Sequence, residues 1–213
     1  MRLGFLVPML ALGVALAAAA QTSGGSWFLD PPLLPGIYTA DPSAHVFGGR
    51  LYVYPSHDID AGVPPDDLGS HFAMRDYHVL SLDRIGGAVK DHGVALDLAN
   101  VPWARRQMWA PDAAERSGQY YLSYSTGDTH FLVYATGDSP YGPFTYRGRI
   151  MEPVLGWTTH HSIVESDGKW YLFYHDAQLS KGQTHLRNIT VTPLVHRPDG
   201  TIETIVPYRA GAR

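Results

Sequence analysis

The chain has 213 residues, 45% hydrophobic and 17% charged, with a formal net charge of −4, enough for one globular domain with a real core. Its acidic and basic residues are scattered and form no basic stripe, which argues against nucleic acid as a partner. The absence of cysteine excludes disulfides, thiolate metal sites and a cysteine nucleophile.

Residues 1–20 read as a signal peptide. Arg2 supplies a short positive region, an apolar run follows, and Ala18-Ala19-Ala20 offers small residues for cleavage before Gln21. The alternative is an uncleaved anchor, because the run is near the lower length limit for a spanning helix. Cleavage would leave a periplasmic or secreted protein with no membrane attachment. Residues 21–35 follow as a lead-in that includes the flexible Thr22-Ser23-Gly24-Gly25-Ser26.

From residue 36 to 213 the pattern is all-β. Thirteen Tyr, seven Phe and five Trp alternate with turn clusters, and no amphipathic helix of three turns is evident. Three segments repeat one pattern, a glycine turn feeding an aromatic-rich strand. They are Gly49-Arg50-Leu51-Tyr52-Val53-Tyr54, Gly118-Gln119-Tyr120-Tyr121-Leu122-Ser123-Tyr124 and Gly168-Lys169-Trp170-Tyr171-Leu172-Phe173-Tyr174. Further strands are expected at Tyr77–Ser81 and Phe131–Ala135. A polar residue precedes each repeat at similar distance: Asp41, Asp112 and His160. Units of short antiparallel strands are propeller blades. Polar residues at the start of the innermost strands would then converge on one axial funnel. Each alone would more simply cap a turn; three in register favour the funnel.

Four motifs carry a resemblance: Ala40-Asp41-Pro42-Ser43, Trp109-Ala110-Pro111-Asp112, Ser139-Pro140-Tyr141-Gly142-Pro143-Phe144, and His160-His161-Ser162 leading to the third repeat. Together they resemble glycoside hydrolase family 43, whose members are five-bladed β-propellers acting as β-xylosidases, α-L-arabinofuranosidases and arabinanases. The resemblance implies an inverting mechanism, with a base and an acid spaced to admit a water. It makes Asp41 the general base; the following proline restricts its backbone. Asp112, Trp109, His160 and Arg187 are implied as substrate-binding residues. His160, or its neighbour His161, is implied near an axial ion, commonly calcium held through water. No cofactor is required. The implied substrate is arabinan, arabinoxylan or a xylo-oligosaccharide.

The resemblance breaks off in the middle. The third-blade Asp-Pro segment and the fourth-blade Glu-Gly-Pro-Trp segment of the family are absent. The chain has four glutamates, Glu115, Glu152, Glu165 and Glu203. Only Glu152 stays a remote candidate for the general acid, which is left unassigned. An internal deletion of about two blades, joined near residues 113–120 at the shared Gly-x-Tyr-Tyr turn, accounts for this. The expected fold is an incomplete propeller of about three blades, open to self-association. The expected function is glycoside hydrolysis, weakened or lost. The alternative is a non-catalytic carbohydrate-binding remnant that keeps Trp109, Trp157, His160 and Arg187.

Overall fold

The computed structural model describes residues 32–66, 69–105, 107–127, 130–156 and 160–207. Residues 1–20 and Trp157 lie outside them. The compact unit that carries the fold starts at Leu33.

Eleven strands form three antiparallel sheets among the described residues. Blade 1 is β1 (Tyr38–Phe47), β2 (Arg50–Asp60), β3 (Phe72–Leu82) and β4 (Lys90–Asp97). Blade 2 is β5 (Asp112–Arg116), β6 (Gln119–Ser125), β7 (Leu132–Gly137) and β8 (Thr145–Met151). Blade 3 is β9 (His161–Ser166), β10 (Lys169–Asp176) and β11 (Asn188–Pro193). The strands of each blade pair in chain order. Of the strands expected outside the repeats, Tyr77–Ser81 falls within β3, and Phe131–Ala135 overlaps β7, which starts one residue later at Leu132.

The repeats are the first hairpin of each blade. Their two-residue loops are Gly48-Gly49, Ser117-Gly118 and Asp167-Gly168, and both residues of each loop have positive φ. That is the turn whose twist matches a hairpin. Its second position is glycine each time, with φ between +71° and +81°, where a side chain is strained.

Alternation along the strands sets what each blade buries. Tyr77 and Val79 of β3 join Leu122 and Tyr124 of β6 in the core between blades 1 and 2. Tyr121, Tyr134, Ile163, Leu172 and Tyr174 fill the core between blades 2 and 3. Among the described residues the other face of blade 3 is uncovered. Phe173 is paired with Val191, and Tyr171 with Val164, so these four share one face. Val164, Phe173 and Val191 are exposed by 41%, 41% and 50%. In a closed ring the next blade would pack there. The expected three-blade, incomplete propeller is what the chain forms.

His196 sits at the seam of blades 2 and 3, edge-on to Tyr121 and to Trp170 at 5.1 Å each. Burial, then the Arg116 charge, pushes its pKa down to about 4. The sign follows directly: the unfolded chain takes up this proton near pH 6.5 and the folded chain only near 4. Its contribution is complete above pH 6.5 and is lost as pH falls to 4. The full shift would correspond to about 3 kcal/mol; partial solvent access reduces that to about 1–2 kcal/mol. The urea midpoint of the wild type should fall across this window, and His196→Leu should flatten the fall.

Candidate functional site

The inner strands of the three blades meet around a cleft of about 380 Å³. It is lined by Asp41, Pro42 and Ser43 of blade 1, Ala110, Pro111 and Asp112 of blade 2, and His160, His161 and Ser162 of blade 3. Asp41, Asp112 and His160, read from the repeat, are therefore brought together. No glutamate is in the lining, although all four lie among the described residues. Glu152 pairs with Arg149 at 3.3 Å, away from the cleft.

Asp41 sits at a bulge: the β1–β2 register shifts between Ala40 and Ser43. Its φ is +48°, the left-handed region, not the extended region that a following proline favours. Aspartate tolerates this conformation better than most residues, and a bulge re-aims a side chain out of the ladder. Ser56 Oγ donates to Asp41 Oδ2 at 3.4 Å.

Asp112, implied as a substrate-binding residue, lines the cleft but is buried. It is 4% exposed, and both carboxylate oxygens are taken by protein donors. Ser43 Oγ and His45 Nε2 donate to Oδ1 at 2.7 and 2.9 Å. The Ile163 amide donates to Oδ2 at 2.6 Å. One carboxylate on β5 thus ties β1 to β9. Burial by itself would raise its pKa. The His45 hydrogen bond, the His161 charge and the Ile163 amide outweigh that and hold it below the usual carboxylate value.

The histidine pair separates by role. His161 Nε2 contacts Ser123 Oγ at 2.7 Å, and that hydroxyl donates to the Asp112 carbonyl at 3.2 Å. His161 therefore belongs to the inter-blade network. His160 is exposed and stacks on His175 at 6.0 Å.

Trp109 and Arg187 are outside the cleft lining. The Trp109 ring is partly buried against the blade 1–blade 2 core and stacks on His130 at 5.7 Å. Tyr77 Oη donates to the Trp109 carbonyl. Arg187 is exposed in the loop before β11. Sequence reasoning passed over Asp58. Its Oδ1 is buried with no hydrogen-bond partner among the described residues. Burial, then the Asp41 carboxylate, pushes its pKa up. The one available signal was the polar Ser56-His57-Asp58 run inside an aromatic-rich strand.

No family model matches the sequence. Individual proteins do. A xylosidase/arabinosidase from Bacteroides ovatus is 33% identical, with 81% of this chain and 96% of that protein covered. Xylosidase/arabinosidase 43A from Humicola insolens is also 33% identical, with 83% and 99% covered. A crystal structure of a family 43 arabinoxylan arabinofuranohydrolase from Bacillus subtilis is 26% identical, covers 83% of this chain and 39% of that one, and superposes with a TM-score of 0.62. The match to the Bacteroides protein runs over 313 positions, but 81% of 213 residues is only about 173. About 140 positions of that protein, 313 less 173, have no counterpart here. Because 96% of its length is spanned, the missing stretch is internal. With the propeller blades, the axial cleft and this identity in hand, the chain belongs to glycoside hydrolase family 43, as a member shortened from within.

Proposed function

We propose that the cleft binds arabinose- or xylose-containing oligosaccharides and hydrolyses only those with a good leaving group. Asp41 acts as the general base on the attacking water. The observation that carries this reading is a cleft holding the Asp41 carboxylate on its bulge and no glutamate. In the inverting reaction the base takes a proton from water while an acid protonates the departing oxygen. Here the first half is provided for and the second is not. General-acid assistance is worth about 10²–10⁴-fold, and a leaving group that departs as a stable anion needs little of it. His160, exposed at the rim, is placed to contact the sugar.

An axial ion fits this site only indirectly. Calcium takes six to eight oxygen ligands, and the two oxygens of Asp112 are already engaged. The cleft makes no direct calcium cage, so an ion beside His160 would be held through water.

The deletion junction is best placed at the Ser117-Gly118 turn. Registry across it is unbroken, from Asp112 opposite Ser123 to Arg116 opposite Gln119. Splicing the first strand of one hairpin to the second strand of another preserves a blade. The uncovered face of blade 3 supports self-association, and residues 1–20 support export.

Release of 4-nitrophenol from 4-nitrophenyl β-xyloside and α-L-arabinofuranoside, set beside xylobiose hydrolysis, tests the reading. Turnover of an aryl glycoside with xylobiose slower by at least about 10²-fold is expected. Comparable turnover of xylobiose would mean an acid is supplied, by Glu152 or a second copy. Xylotriose binding without any turnover would make the chain a carbohydrate-binding remnant.

A further inference from the structure

We propose that blade 1 holds a divalent transition-metal ion of the zinc class, between His57, Asp76 and His78. The site is separate from the cleft lining. Asp76 and His78 are two apart on β3, and so on one face of the sheet. His57 reaches that face from β2. One ligand atom from each of the three lies within 4.8 Å of the others.

The geometry suits a small ion. His57 Nδ1 is 3.0 Å from Asp76 Oδ2, and His78 Nε2 is 3.4 Å from Asp76 Oδ1. Zinc bonds of about 2.0–2.2 Å in a tetrahedron set neighbouring ligand atoms roughly 3.3–3.5 Å apart. The Asp76 side chain is 4% exposed, His78 12% and His57 20%. The carboxylate is thus buried, and access is from the His57 side. Two imidazoles and one carboxylate, with water in the fourth position, form a donor set that zinc commonly takes.

For His78 the proton bookkeeping points the same way, whereas His57 Nδ1, which donates to Asp76, would release its hydrogen on binding the ion. His78 Nδ1 lies 3.2 Å from Asp91 Oδ1. A carboxylate only accepts, so this nitrogen carries hydrogen. In a neutral ring the Nε2 lone pair then faces the Asp76 oxygen at 3.4 Å, acceptor against acceptor. The contact becomes favourable with a cation between them. A histidine whose outer nitrogen donates to a carboxylate is also the usual form of a metal ligand, since that bond fixes the tautomer and aims the inner lone pair. One dipositive ion would balance the two carboxylates, Asp76 and Asp91.

The test is zinc titration of the purified chain near neutral pH, by calorimetry and by thermal melting. One tight equivalent is expected. At a hundredfold excess over Kd the melting midpoint should rise by about 5–10 °C. His57→Gln should abolish that equivalent. Asp91→Asn, which leaves all three ligands in place, should weaken it about 10–100-fold. His160→Gln should leave it intact, which separates this site from the cleft histidines. No zinc uptake by the folded wild type would overturn the proposal. Unchanged uptake by His57→Gln would overturn it as well.

Discussion

Asp112→Ala should cost about 3–5 kcal/mol, the largest loss expected for any single cleft residue. The carboxylate is buried and receives Ser43, His45 and the Ile163 amide from two other blades. Removing it leaves the Ser43 and His45 donors without their partner and the Ile163 N–H without an acceptor. Each buried donor left unsatisfied costs about 1–3 kcal/mol, and the loss here touches three of them. Total stabilities run to only about 5–15 kcal/mol, and an open ring lacks the closure that supports a full propeller. A melting midpoint lower by roughly 6–20 °C follows for a chain of this size. Asp112→Asn keeps the shape but turns an amide donor toward donors, so it should recover only part of the loss. Because the folded pKa of Asp112 lies below the ordinary carboxylate value of 3.8, its contribution is present above that value. It is lost as pH falls through the lower, folded pKa. Alanine should therefore remove stability at neutral pH and change little in strong acid. An Asp112→Ala chain that melts like the wild type at pH 7 would show that the three blades are not tied through this carboxylate.

What the sequence made legible was the periodic part. A two-residue glycine turn imposes a local conformation, so three copies of it mark three hairpins wherever they fold. A polar residue at matching distance before each turn lands on the same axis for the same reason. This is why Asp41, Asp112 and His160 all line one cleft. The direction of each side chain was not legible. Asp112 and Asp41 carry similar motifs, yet Asp41 sits on a bulge while donors 67 to 69 residues earlier and 51 residues later capture Asp112. Trp109 met the core rather than the cleft because it packs against the cluster between blades 1 and 2, a contact that no local pattern encodes. The His57-Asp76-His78 cluster was equally hidden. The β2–β3 register shifts between Ser56 and Asp58, so strict alternation does not predict which face His57 joins. The missing blades were legible by another route: absent motifs leave gaps in an ordered series, and a gap can be counted without knowing the fold.

Asp41→Asn should lower kcat on aryl glycosides by about 10²–10⁴-fold with little change in KM. Asparagine keeps the size of the side chain and cannot take a proton from water. It also tolerates the left-handed conformation that Asp41 adopts at φ +48°, so the bulge and the cleft should persist. Alanine is a poorer probe, since the same backbone would be strained by about 1–2 kcal/mol. A loss in kcat at constant KM means the lost interaction belongs to the transition state and not to sugar binding. Xylotriose binding to the variant, measured by calorimetry, should accordingly match the wild type. The fold-loss bears on the shortened chain in a particular way. In a complete member, base and acid contribute together. On the proposed reading the acid's share is already gone, so aryl activity would rest on Asp41, positioning and desolvation, and removing Asp41 would leave only the last two. Equal turnover by wild type and Asp41→Asn would place the chemistry elsewhere. Loss of xylotriose binding in the variant would make Asp41 a sugar contact in place of a base.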